Sequence, residues 1–80
     1  MKYIVFKNPI EAQFMICFPE VIEHGHMAEA MKHHPQMILE PISAGFCDPE
    51  KGDVWGKSVT LKLDSRPEDK LHLKMAMRHF

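Results

Sequence analysis

The last third of the chain carries the pattern that most restricts its fold, a strand that leads into a helix. Apolar and polar residues alternate over residues 54–63, which predicts a half-exposed antiparallel strand. Ser65 and Glu68 then have the spacing of a capping box, and Pro67 suits the first turn of a helix. We therefore expect a β-hairpin that runs into a C-terminal helix.

The rest of the chain predicts three more strands or extended segments and one helix. Residues 2–7 form a strand with two apolar faces, and residues 13–18 lie close enough to pair with it as an antiparallel hairpin. A helix is predicted from His26 to His33. Residues 37–47 read as extended, with a break or bulge at Pro41, because proline cannot donate to a sheet ladder.

These elements occur in the order ββαββα. The predicted fold is α+β, with a four-stranded antiparallel sheet and two helices on one face of it. The 80 residues make a single domain, residues 1–80. A chain of this length buries only about 60% of its unfolded surface, so its core leaves a thin stability margin.

Charge and hydropathy limit the classes of partner. The net charge is −1 and no basic run occurs, so we expect no nucleic-acid partner. No apolar stretch reaches the roughly 18 residues that a membrane-spanning helix needs, so we expect no membrane partner. The natural inference is a reducing cytoplasm.

The two cysteines, Cys17 and Cys47, lie 30 positions apart in apolar segments that read as strands. They are predicted to be buried structural thiols, since free cysteine behaves as a small hydrophobic residue. A disulfide would require an oxidising compartment, and no Cys-x-x-Cys motif indicates redox chemistry. A small cysteine-dependent enzyme is therefore the least favoured hypothesis.

Histidine is unusually frequent, with six in the chain. His24 and His26 form a His-x-His pair that could share a metal ion, because imidazole is a common ligand. Structural zinc, however, needs four ligands at recognisable spacing, and none is visible. We expect no metal and no cofactor, with most histidines solvated or capping.

One small-anion site is conceivable at the start of the last helix, where Ser65 and Arg66 lie beside free backbone amides. The capping box would already satisfy those amides, and Glu68 would repel an anion. Arg66 is then better read as a salt-bridge donor on the surface or between subunits.

The apolar residues of the last helix cover a wide arc for so small a sheet. Trp55, Met75, Met77 and Phe80 are the interface candidates, since tryptophan is enriched at binding hot spots and methionine at adaptable surfaces. A thin core and open sheet edges also favour association. We expect a homodimer or higher oligomer.

From Ile42 onward the chain resembles short uncharacterised proteins encoded by phages and prophages. The resemblance is carried by the segments Ser43-Ala44-Gly45-Phe46, Gly56-Lys57-Ser58 and Leu61-Lys62-Leu63-Asp64-Ser65-Arg66-Pro67-Glu68-Asp69. It implies a cytoplasmic accessory protein that acts by binding.

Two functions are therefore expected ahead of catalysis. The first is a non-enzymatic accessory or regulatory protein that binds itself and an unidentified protein partner. The alternative is a small-anion or nucleotide-binding module with its pocket between subunits.

Overall fold

The structure of the protein is a computed structural model that describes residues 1–33 and 38–77. The elements in chain order are β1 (Lys2–Lys7), β2 (Gln13–Phe18), α1 (His24–Lys32), β3 (Glu40–Asp48), β4 (Asp53–Trp55), β5 (Lys57–Ser58), β6 (Leu63–Asp64) and α2 (Asp69–Met77). An antiparallel sheet has the order β2-β1-β3-β4, and β5 and β6 form a separate ribbon. The predicted α+β class and four-stranded antiparallel sheet are confirmed.

The hairpin of β1 and β2 forms as the sequence predicts. The two strands pair from Lys2 opposite Phe18 to Lys7 opposite Gln13 without a register shift. Their turn is held by the side chain of Asn8, whose Oδ1 accepts hydrogen bonds from two backbone amides further along the turn. The asparagine side chain thus supplies an acceptor to turn amides that would otherwise have no backbone partner.

The strand β3 also matches its prediction, including the irregularity near Pro41. Phe6 lies opposite Pro41 and Val5 lies opposite Ser43, so the β1–β3 register shifts by one residue at this point. The extra residue forms a β-bulge. The bulge interrupts the ladder next to Pro41, which has no amide to donate to it. Met37, which was predicted to begin this strand, lies outside the described residues.

Each face of the sheet carries one helix, which differs from the prediction of two helices on one face. Ile4 of β1 packs in a cluster with Ala28 of α1, and the adjacent Tyr3 packs in a second cluster with Leu73 of α2. Successive side chains of a strand point to opposite faces. The two clusters are therefore separate half-cores on either side of β1, and the β5–β6 ribbon adds to the α1 side.

The predicted strand over residues 54–63 is broken into β4 and the β5–β6 ribbon. A tight turn causes the break: the Ser58 hydroxyl accepts a hydrogen bond from the Leu61 amide at 3.2 Å, and the Lys62 amide donates to the Val59 carbonyl at 3.2 Å. Val59, predicted to face the core, is 79% exposed. The alternation of residues 54–63 thus arises from three short strands, the last two of which flank this turn.

The helix α1 begins two residues before its predicted start and contains Gly25 in its first turn. A Cβ at Gly25 would lie 2.8 Å from Cγ2 of Thr60, so glycine lets the turn between β5 and β6 approach the helix closely. No helix within residues 1–33 and 38–77 has the length and apolar character needed to cross a membrane.

Candidate functional site

A buried polar network joins β1 to the start of α2. The Tyr3 hydroxyl donates a hydrogen bond of 2.6 Å to Oδ2 of Asp69, and neither side chain has any solvent-exposed surface. Asp69 also accepts from the Arg66 amide at 2.9 Å and from the Arg66 guanidinium at 3.0 and 2.9 Å. Four donors therefore compensate the burial of one carboxylate, as a buried charge requires.

This network replaces the predicted capping box. Asp69 lies three residues after Arg66 and accepts from its amide, which is the reach-back contact expected one residue earlier for Glu68 and Ser65. Pro67 lies in the turn just before α2, where its missing amide costs nothing. The capping carboxylate is Asp69 and not the predicted Glu68. Asp69 also accepts the hydrogen bond of the Tyr3 hydroxyl, so this tertiary contact decides which of the two adjacent carboxylates caps the helix.

The pKa shifts in this network keep Asp69 ionised and Tyr3 protonated near neutral pH. Burial raises the pKa of Asp69, but hydrogen bonds from Tyr3 and from Arg66 outweigh it and lower the pKa below its usual range. Burial and the neighbouring carboxylate raise the pKa of Tyr3. The nearby Ser43 hydroxyl contributes to lowering the pKa of Asp69, yet it has no hydrogen-bond partner of acceptable geometry among the described residues. A carboxylate without exposed surface cannot touch a substrate, so the network is structural.

Arg66 and Ser65, the predicted anion-binding residues, lie around a depression of about 310 Å³ that Lys70 also lines. The Arg66 guanidinium is already bound by Asp69 and also donates to Oε1 of Gln13 at 3.3 Å. Anion binding at this position stays a prediction. The geometry favours the other predicted role of Arg66, that of a salt-bridge donor, and the acceptor is Asp69 of the same chain.

The histidine pair does not form a shared site. Nε2 of the buried His24 donates to the Gly45 carbonyl at 2.9 Å, and its ring lies edge-on to Phe18 and Phe46. His26 is exposed. Across residues 1–33 and 38–77, no three or more His, Cys, Asp or Glu side chains cluster in a way that could hold a metal ion.

The two cysteines are brought into contact, which the sequence spacing did not reveal. Sγ of Cys47 lies 4.0 Å from Sγ of Cys17, and the Cys47 thiol is positioned to donate to Cys17. This hydrogen bond lowers the pKa of Cys17 and raises that of Cys47. Cys47 is buried as predicted, whereas Cys17 is only partly buried.

The outer edge of β2 is open. The Asn8 amide donates to the Ala12 carbonyl, and the alternation of an antiparallel ladder then points the amides of Gln13, Met15 and Cys17 away from β1. These outward groups have no backbone partner within the part of the chain that the structure describes. β2 therefore presents a row of unpaired donors and acceptors.

A groove of about 400 Å³ runs beside this edge, between β2 and α2. Its walls are mainly apolar, and its lining residues are Gln13, Phe14, Met15, His72, Met75 and Ala76. At the rim, Nε2 of His72 donates to Oε1 of Gln13 at 3.2 Å, which fixes α2 relative to β2.

Two of the predicted interface residues, Trp55 and Met75, lie at opposite edges of the sheet. Trp55 is 49% exposed and stacks on Phe46 at the β4 edge of the sheet, whereas Met75 is 56% exposed in the groove beside β2, the opposite edge. Met77 is the last residue of α2, and Phe80 lies outside the described residues. The β2 edge was missed because strand order was not visible in the sequence.

Fold and geometry together define a small α+β protein with a helix on each face of its sheet and an uncovered edge strand. No family model, no curated protein and no solved structure matches the chain.

Proposed function

We propose that the protein is a non-enzymatic accessory or regulatory module that acts by self-association through the edge of β2. The observation that carries the proposal is the open edge itself, six residues long and next to an apolar groove. Unpaired edge strands pair readily with another strand unless the protein blocks them.

The composition of β2 supports this use of its edge. The strand contains no charged residue and no proline, which are the usual means of blocking an edge. The other edge strand, β4, has only three residues and begins with Asp53. The edge that is most open to a partner is thus the one without protection.

The proposed dimer places two β2 strands antiparallel about a two-fold axis. The outward amides lie at Gln13, Met15 and Cys17, which are symmetric about Met15. Met15 then pairs with Met15 of the second copy, and Gln13 pairs with Cys17. Three such pairs give about six backbone hydrogen bonds. The joined sheet has eight strands, and the exposed Met75 of each copy lies beside the new interface.

Sedimentation velocity over a range of protein concentrations tests the proposal. Wild-type protein is expected to form dimers, and Met15→Pro is expected to be monomeric, because proline removes an outward amide without removing a hydrogen bond to β1. Met15→Lys is a second variant, since it sets two like charges opposite each other at the axis. Val59→Lys, on the exposed turn between β5 and β6, is the matched control and should dimerise normally.

Two results would refute the proposal. One is a wild-type monomer at high micromolar concentration. The other is unchanged dimerisation in Met15→Pro and Met15→Lys variants whose circular dichroism matches that of the wild type. Either would favour a module that binds only a different protein or, as the alternative expected from the sequence, a small anion.

A further inference from the structure

The contact between Cys17 and Cys47 is a second feature that calls for a chemical explanation. Cys17 lies on β2 and Cys47 on β3, the two strands that flank β1. Both side chains lie on the α2 face of the sheet, in the cluster that contains Tyr3, Val5 and Leu73. The fold thus joins two soft sulfur donors inside an apolar shell.

A disulfide does not fit this placement. Because β1 lies between the two strands, their backbones are two inter-strand spacings apart, about 9.5 Å. A disulfide joins residues whose Cα atoms are at most about 7 Å apart. Oxidation of this pair would therefore require the strands to move, while the sulfur atoms already lie 4.0 Å apart.

The sulfur spacing does fit a metal ion held between two thiolates. With metal–sulfur bonds of about 2.3 Å, two thiolates lie ~3.8 Å apart at a tetrahedral angle and ~4.6 Å apart when linear. The observed 4.0 Å falls between these limits. We propose that Cys17 and Cys47 form a two-thiolate site for a soft monovalent ion, Cu(I).

The surroundings select against other ions. A structural zinc site needs four ligands, and the described residues offer no cluster of three or more. Hard ions such as Mg²⁺ and Ca²⁺ take oxygen ligands, whereas the two side chains that meet here offer sulfur. Thiolates prefer soft ions, and Cu(I) accepts a low coordination number. The partly exposed Cys17 provides the route of entry.

Binding exchanges protons for the metal. Starting from two neutral thiols, one Cu(I) replaces two protons and leaves a bis-thiolate with one net negative charge. Affinity should therefore rise with pH. The site uses the side chain of Cys17 and not its edge amide, so it does not depend on the proposed dimer.

Native mass spectrometry of the reduced protein with Cu(I), and with Ag(I) as a redox-inert analogue, tests the site. We expect one ion per chain, with a gain in neutral mass equal to the metal less one proton, because a monovalent ion replaces one proton at constant ion charge. Cys17→Ser and Cys47→Ser should each weaken binding at least about 100-fold in a competition titration with a Cu(I) chelator. His26→Ala, which changes an exposed histidine, is the matched control and should bind as the wild type does.

The competing explanations give different results. Equal binding by wild type and by the Cys17→Ser/Cys47→Ser double variant would assign the metal to histidines and overturn the proposal. A loss of two hydrogen masses from metal-free protein in oxidised glutathione would identify a disulfide pair and would also overturn it. If a serine variant fails to fold, the wild type still decides, because Cu(I) bound to the native state must raise its melting temperature.

Discussion

Removal of one hydroxyl group, in Tyr3→Phe, probes the network that holds α2 to the sheet. The variant keeps the aromatic ring in the core and deletes the donor to Oδ2 of Asp69. A hydrogen bond to a charged group contributes about 1.5–3 kcal/mol. Three donors from Arg66 remain on the carboxylate, so we expect the free energy of unfolding to fall by about 2 kcal/mol. For a chain of this size, that lowers the melting temperature by about 8–16 °C.

The effect of Tyr3→Phe should depend on pH. Because the folded pKa of Asp69 is lowered, its contribution is complete above the unfolded pKa of about 3.9 and is lost as pH falls through the folded value. Phenylalanine removes one cause of that lowering, so the pKa of Asp69 should rise in the variant. The difference in stability between wild type and variant is therefore largest at neutral pH and shrinks as Asp69 becomes protonated.

Urea denaturation followed by circular dichroism, at pH 7 and at about pH 2.5, measures both quantities. A double-mutant cycle with Asp69→Asn should give a coupling free energy of about 1–2 kcal/mol between the two side chains. Ser58→Ala is the matched control, because it deletes a buried hydroxyl that bonds to an amide and not to a carboxylate. A loss below about 0.5 kcal/mol at pH 7, or the same loss at both pH values, would refute the reasoning.

Two further predictions concern the backbone and alkaline pH. Gly45→Ala should cost about 3 kcal/mol, because its Cβ would lie 2.5 Å from the Trp55 carbonyl oxygen. Gly52→Ala, with a φ of 72° and no neighbour within 4 Å, should cost only about 1 kcal/mol, so equal urea midpoints for the two would contradict the packing argument. Since the pKa of Tyr3 is raised, stability should be complete below the ordinary tyrosine pKa of about 10 and fall above it. Urea denaturation between about pH 10 and about pH 11 should detect that fall, and the fall should be smaller in Tyr3→Phe than in the wild type.

The first hairpin could be predicted because its signals are local. The apolar runs at residues 2–7 and 13–18 are separated by a turn that starts with Asn8, and both strands have the predicted bounds. The two apolar faces of β1 also indicated a strand covered on both sides. Two apolar faces on β1 favoured one helix on each face of the sheet. The prediction instead followed the number of strands and helices, for which a single layer of helices is the simplest arrangement.

The fourth strand forms as β4, but its predicted extent over residues 54–63 was wrong, because alternation does not distinguish one long strand from several short strands separated by turns. The turn at residues 59–62 contains no glycine, proline or asparagine. Its signal is the hydroxyl of Ser58, which bonds to the amide of Leu61. Serine forms such turns more weakly than asparagine or aspartate, so the sequence offered little to outweigh the apolar pattern.

The polar network and the thiol pair could not be predicted from local signals, because each depends on strand order. Tyr3 and Asp69 are 66 positions apart, and the two cysteines are 30 apart. Sequence periodicity assigns residues to a face of an element but not to neighbours across the sheet. From the sequence alone, Asp69 near Arg66 resembles an ordinary exposed residue at a helix start. Its burial follows only from its contact with Tyr3, which the sequence does not indicate.

The way α2 is attached links these features. Leu73 is the one fully buried apolar side chain of α2 among the residues described, while Leu71 and Met75 are exposed. The bonds from Asp69 to Tyr3 and Arg66 add to the apolar contact of Leu73 in attaching α2 to the sheet. Both proposed sites depend on this attachment. The groove at the β2 edge has α2 as one wall, and the thiol pair lies in the cluster that Leu73 closes. In both proposals the buried carboxylate acts through position, because it helps to keep α2 where the edge stays open and the sulfur atoms stay shielded.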